Sequence, residues 1–179
     1  MKKITLIALL IFTIATSAQE KLVSNIGIIN FEASIPSFEE VKAINSKTTC
    51  VLLTNTGEIE CWANIKDFKF KRELMQEHFN KNYMESNRFP RAIFKGKIDK
   101  FDLNKINSKS IPCQITGKIT IRGRTKKIVI NGTLRKVDKG IELYSAFTLN
   151  TDDFKIEIPF MVRSKISKKV NTQLICVLQ

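Results

Sequence analysis

The chain has 179 residues, with 30 Lys and Arg against 17 Asp and Glu, one His and four Cys. That length suits one domain with one core. The single histidine, together with cysteines at 50, 61, 113 and 176 that form no CxxC pair, gives little support to a zinc site or a Cys–His catalytic pair. A formal charge of +13 would suggest nucleic acid in a cytosolic chain, but the basic residues here are scattered and the N-terminus points out of the cytosol.

Lys2 and Lys3 precede an almost unbroken apolar run, Ile4 to Ile14, and Thr16-Ser17-Ala18 supplies the small residues of a cleavage site. This pattern predicts a signal peptide over residues 1–18, removed after Ala18, and a single domain over 19–179 in the periplasm or outside the cell. The apolar run is too short to span a bilayer comfortably, and no Cys follows the cleavage point, so no lipid anchor is expected. Without Lys2 and Lys3 the charge falls from +13 to +11. No nucleic-acid partner is expected. The charge fits peripheral contact with an anionic membrane surface, or simply a soluble basic exterior.

Beyond the leader, most of the chain alternates with period two, the signature of half-buried strands. The first strand is expected at Ile26–Ile35. Phe38, Val41 and Ile44 then hint at a short helical turn after Pro36. A second strand, Thr48–Thr54, leads through Asn55-Thr56-Gly57 into Glu58–Lys66, where Ile59, Cys61, Ala63 and Ile65 share one face. If Asn55-Thr56 forms a two-residue turn, Cys50 faces Cys61. If Gly57 makes a bulged loop, Cys50 faces Trp62 and the thiols point apart. The expectation inclines to unbridged thiols, because a free Cys on an apolar strand face behaves as a small hydrophobe.

From Lys71 to Tyr83 the period changes. Leu74, Met75, His78, Phe79 and Tyr83 recur at helical spacing, which predicts an amphipathic helix of roughly three turns. An irregular loop, Met84–Pro90, follows. Strands are then expected at Ala92–Phe101, at Ile111–Arg122 and, after the Gly123 turn, at Lys126–Arg135 with a bulge at Gly132. After Asp138-Lys139-Gly140, Ile141, Leu143, Ser145, Phe147 and Leu149 form one inward row, and Val170, Thr172, Leu174, Cys176 and Leu178 form the last. About eight strands with short turns make an all-β barrel or sandwich.

Two blocks carry a family resemblance. One runs from Phe68-Lys69-Phe70-Lys71-Arg72 through Leu74-Met75-Gln76-Glu77-His78-Phe79, Asn82 to Ser86 and Phe89-Pro90, to Ala92-Ile93-Phe94-Lys95-Gly96. The other is Ile115 to Lys127, a hydrophobic strand ending in the turn Arg122-Gly123-Arg124-Thr125-Lys126. Together, behind a leader, they resemble the YceI-like family. The resemblance implies an extended, antiparallel, lipocalin-like β-barrel of about eight strands with one short amphipathic helix near its mouth. It also implies an apolar channel for a long-chain lipid such as a polyisoprenoid, a quinone or a fatty acid, and homodimers. The chain departs from the family at its front, where Val23-Ser24-Asn25-Ile26-Gly27 stands in place of the usual Asp-x-x-His-Ser opening.

On that resemblance the expected channel residues are Phe70, Leu74, Met75, His78, Phe79, Phe94, Ile119, Leu143 and Phe147, with Lys69, Lys71, Arg72, Arg88 and Arg91 as a head-group rim. His78 is read as bonded to a backbone carbonyl that locks the helix over the barrel, or as a contact to the ligand's head group. Patterning alone does not separate a hollow barrel from a solid one, since an inward Ile looks the same in both; the slim inward residues Ala63, Ala92, Gly117 and Ser145 favour a cavity. A solid barrel would leave a second reading, an interaction protein working through its basic surface or strand edges. No cofactor, metal or catalysis is expected: the sequence has no GxSxG, HExxH or phosphate loop. Asp152-Asp153 are read as loop residues before Phe154 and not as an acid/base dyad, since neighbours on an extended segment face opposite ways.

Overall fold

A computed structural model of the chain describes residues 20–179; the expected signal peptide lies outside the described residues. Nine strands follow one another: β1 (Lys21–Ser34), β2 (Lys42–Leu53), β3 (Glu58–Asn64), β4 (Lys69–Phe70), β5 (Arg91–Ile98), β6 (Ile111–Ile121), β7 (Arg124–Val137), β8 (Gly140–Asn150) and β9 (Ile166–Leu178). All pairings are antiparallel between neighbours in the ring, and β1 pairs with both β2 and β9. Eight strands therefore close on themselves. The two-residue β4 adds to β2 beyond the end of β3, placing Phe70 opposite Ala43.

The expected inward rows are the observed ones. On β6, Ile115, Ile119 and Ile121 are buried; on β8, Ile141, Leu143 and Ser145; on β9, Thr172, Leu174, Cys176 and Leu178. Three expectations are corrected. The segment after Pro36 makes a turn with no helix, and Ile44 lies within β2. β7 is continuous through Asn131-Gly132 but carries no bulge, since its register with β6 is unbroken from Ile111↔Leu134 to Ile121↔Arg124. Gly132 is needed for closeness instead: a Cβ there would lie 2.6 Å from the Tyr144 carbonyl oxygen on β8.

The third correction concerns the thiols. Cys50 pairs with Cys61 across β2 and β3, their Cα atoms 4.1 Å apart, and the two form a disulfide. The loop that sets this register is neither of the two expected. It has four residues, Thr54–Gly57, closed by the Gly57 N–H donating to the Leu53 carbonyl at 2.9 Å. A four-residue loop keeps the register of a two-residue turn, so the two thiols meet on one face. Cys113 and Cys176 remain free.

Two apolar clusters divide the interior. The lower one joins Leu52, Ile59, Ile98, Ile115, Leu143 and Leu178 with the disulfide, and Phe101 and Ile106 of the β5–β6 connection pack beneath it. Gly57, at φ +72°, makes room for Phe101, since a Cβ there would lie 2.5 Å from the Phe101 Cβ. The upper cluster gathers Ala43, Ala63, Ile65, Phe68, Ile119, Ile121 and Phe154 at the other end.

Candidate functional site: an apolar cavity at the open end of the barrel

The upper half is hollow. A cavity of about 440 Å³ opens there, within the range of small-molecule sites. Ile29, Phe94 and Ile128 pack against both clusters and form the boundary between them. The Phe94 ring fills the space left by two glycines: a Cβ at Gly96 or Gly117 would lie 2.6 or 2.7 Å from its Cζ.

Three structures build the walls. The first is the barrel itself, through Ile29, Phe31, Ala33, Ala92, Ile119 and Ile121. The second is the helix α1 (Glu73–His78), continued by a wider turn over Phe79–Tyr83 in which the Met84 N–H donates to the Phe79 carbonyl. Its grip on the barrel is aromatic. Phe79 packs against Phe31, Phe68 and Phe70 with ring centroids 5.6, 5.9 and 5.0 Å apart, distances at which tilted aromatic pairs attract. The third wall is the β8–β9 connection, where Phe154 and Ile158 are buried and Ile156 and Val162 also face the cavity, with Ile166 at the start of β9. Arg122 ties the second wall to the third, donating to the Glu85 carboxylate just after the helical segment and to the Lys155 carbonyl.

The chemistry of the lining is overwhelmingly apolar. Its charged members sit at the rim: Arg72 is bonded to Glu39, so its charge is largely answered, and Lys165 stands exposed. Burial raises the Tyr83 phenol above its ordinary value, so it stays neutral and can donate a hydrogen bond at any physiological pH. Among the described residues no group of His, Cys, Asp and Glu could hold a metal ion.

A model of the YceI-like domain matches residues 16–177 of this sequence. The chain belongs to the YceI-like family. Among solved structures it is similar to a polyisoprenoid binding domain from Saccharophagus degradans implicated in plant cell wall breakdown, at 11% identity and a TM-score of 0.76, covering 89% of this chain and 97% of that one. It is also similar to BcnA of Burkholderia cenocepacia, at 12% identity and a TM-score of 0.70 over 86% and 96% of the two chains. The Campylobacter jejuni YceI protein is similar at 17% identity, with a TM-score of 0.63 over 81% and 88%. At these identities the likeness is one of fold. No curated protein matches the sequence.

Within this YceI-like barrel, Phe70, Leu74, Met75, His78, Phe79, Ile119 and Phe147 line the cavity. Phe94 and Leu143 do not. Phe94 is turned into the boundary by Gly96 and Gly117, and Leu143 lies one level lower in the packed cluster. His78 is exposed, and its ring forms no hydrogen bond to the described residues, so the expected carbonyl lock is absent. The helix turns Met75 and Phe79, four residues apart, toward the barrel, which leaves His78 at the rim. Of the five rim cations only Arg72 borders the cavity. Arg88 stacks on Phe89 and pairs with Glu85, Arg91 reaches Asn64, and Lys69 and Lys71 point to solvent.

Sequence reasoning missed Phe31, Phe68 and the whole β8–β9 wall. The last carried a signal: Phe154, Ile156 and Ile158 alternate, a period-two pattern in a segment read as a loop because of Asp152-Asp153.

Proposed function

We propose that this chain holds the hydrocarbon part of a long-chain amphiphile in the upper cavity and keeps its head group at the rim beside Arg72, Lys165 and His78. The observation that carries the reading is the cavity: apolar, open at one end, and floored at the level of Ile29 and Phe94. The barrel is not solid, which removes support from the reading based on a filled interior. The reading is non-catalytic.

Energetics favour the tail over the head. Each buried methylene is worth about 0.8 kcal/mol, so ten give about 8 kcal/mol before the costs of ordering and association. An exposed ion pair at the rim adds only about 0–1 kcal/mol. The tail therefore sets affinity and the rim tunes head-group choice. A polyisoprenoid is the first candidate, since the similar domain from Saccharophagus degradans is described as binding one; a quinone or a fatty acid offers the same hydrocarbon chemistry. The leader pattern of residues 1–18 supports action in the periplasm or outside the cell, and the Cys50–Cys61 disulfide suits an oxidising compartment. The basic composition suits attraction to anionic envelope surfaces, and a homodimer remains part of the family-based reading.

Native mass spectrometry of protein extracted gently from its host tests this. A co-purifying mass in the range of a long-chain lipid is the expected result. Repeated ligand-free spectra, with no uptake of added isoprenoids, quinones or fatty acids, would remove the carrier reading. N-terminal sequencing of the exported protein is expected to begin at Gln19.

A further inference from the structure

We propose that the open end of the barrel is a docking surface for an anionic phospholipid bilayer, with Phe160 and Met161 as the wedge that enters it. Its purpose rests on the carrier reading above, since a ligand moving between bilayer and cavity would then avoid water. Its chemistry stands apart.

Eight large hydrophobic side chains are exposed among the described residues, and four of them, Phe38, Leu74, Phe160 and Met161, stand on the three segments that surround the cavity mouth. Phe160 and Met161 are the most exposed of the eight, at 84% and 87%, and Leu74 at the same end is 60% exposed. Apolar groups gathered on one end of a molecule and rimmed by charge mark an interaction site. The wedge is also built for an environment poor in water. Its turn is internally bonded: the Val162 N–H donates to the Pro159 carbonyl at 3.0 Å, Arg163 to Phe160 at 3.3 Å and Lys165 to Val162 at 2.9 Å. Entering the interface therefore strips water from few unpaired backbone donors.

Charge selects the occupant. Lys155, Arg163 and Lys165 flank the wedge, and Lys69 and Lys71 stand across the mouth; none has an ion-pair partner among the described residues. The neighbouring acids are answered internally, Asp152 by Lys168, Asp153 by Lys126 and Glu39 by Arg72. Only Glu73 and Glu157 at this end are carboxylates without such a partner. Exposed aromatic and thioether side chains within a ring of free cations fit an anionic lipid surface. A second copy docked mouth to mouth would bring like charges together.

The test is co-sedimentation of the purified protein with vesicles of phosphatidylcholine alone and of equal parts phosphatidylcholine and phosphatidylglycerol, with molar mass read by light scattering. The wild type is expected to bind the anionic vesicles selectively, and less as salt rises. F160D/M161D is expected to lower that partitioning by at least about tenfold, while leaving uptake of detergent-dispersed isoprenoid unchanged, since neither residue lines the cavity. K155E/R163E is expected to abolish the preference for anionic vesicles. Absence of wild-type vesicle binding, undiminished binding by F160D/M161D, or a dimer that only these substitutions dissociate would each overturn the proposal. Vesicle binding that depends on Phe160 in a protein that takes up no lipid would leave the docking surface standing and remove the carrier reading.

Discussion

The lower and upper halves of the barrel are written in the same alternating code, yet one is packed and the other hollow. Two differences account for this. The first is side-chain volume. Inward positions of the lower half hold Leu52, Ile59, Ile98, Ile115, Leu134, Leu143 and Leu178, whereas those of the upper half include Ala33, Ala43, Ala63 and Ala92 on four different strands. The second is the wall. β7 and β8 pair from Val137↔Gly140 only as far as Gly132↔Ser145. Above that level β8 stays with β9, from Ala146↔Gln173 to Asn150↔Lys169, while β7 stays with β6. The β8–β9 connection then supplies the wall that direct pairing would have supplied, with Lys126 of β7 held to Asp153. An eight-stranded barrel lies at the width where it is either filled by side chains or holds one ligand, and here each outcome occupies one end.

Matched truncations should separate the halves most sharply. Leu143→Ala removes contacts on every side of a 1% exposed residue and is expected to cost about 2–5 kcal/mol. Leu149→Ala, three inward positions toward the mouth on the same face of β8, removes a side chain that already borders empty space and should cost only about 1 kcal/mol. Urea denaturation reads both. Equal losses would mean that the upper half is packed in solution. Reducing the Cys50–Cys61 disulfide comes next. It closes a short loop, of sequence separation 11, and its loss is expected to lower stability by about 3 kcal/mol on the chain-entropy account. Because the bridge lies in the packed half, the reduced protein should still take up lipid below its melting temperature; loss of uptake without unfolding would show the halves to be coupled.

How much of this was legible beforehand follows from the same contrast. Strand faces were legible because burial alternates with a strict period of two: the inward rows of β3, β6, β8 and β9 could be read from the spacing of their apolar residues, whereas the two-residue β4 could not. Hollowness was only hinted at, through Ala63 and Ala92, because which alanines share a level depends on register between strands far apart in sequence. Register depends in turn on loops such as Thr54–Gly57, where one residue more or less decides whether Cys50 meets Cys61 or Trp62. Phe94 was expected in the channel on the family resemblance, but only the pairing of Gly96 on its own strand with Gly117 on β6 shows that its ring is occupied. The β8–β9 wall was obscured by an acidic pair in front of an alternating apolar run.

A third prediction adds volume instead of removing it. Ala92→Trp projects a large ring into the cavity and is expected to reduce lipid uptake at least about tenfold, with a stability change within about 1 kcal/mol because the space is already there. Ser145→Phe, by contrast, overpacks a fully buried site in the lower half and is expected to cost about 1–3 kcal/mol with little direct effect on uptake. If Ala92→Trp destabilises as strongly as Ser145→Phe, the cavity is filled by rearrangement of its walls.

The smallest effect concerns the two free thiols, whose depths differ. Cys176 is buried in the packed half, and loss of hydration pushes its thiol up to about 12 from an ordinary 9.0. Cys113 is half-buried and also raised by burial, but with no comparable displacement. The thiolate is the reactive form, so at neutral pH iodoacetamide should label Cys113 slowly and Cys176 only on unfolding. The same shift has a sign in stability. Because the folded thiol holds its proton more tightly than the unfolded one, its contribution is fully present below pH 9 and is lost as pH rises toward 12. Cys176→Ala should therefore flatten the alkaline limb of the stability profile, whereas Cys113→Ala should change it less. Peptide mapping after labelling the native protein reads the first point directly: rapid alkylation of Cys176 would mean that the lower half opens to solvent, and the division between a packed floor and a hollow top would be one of average occupancy instead of architecture.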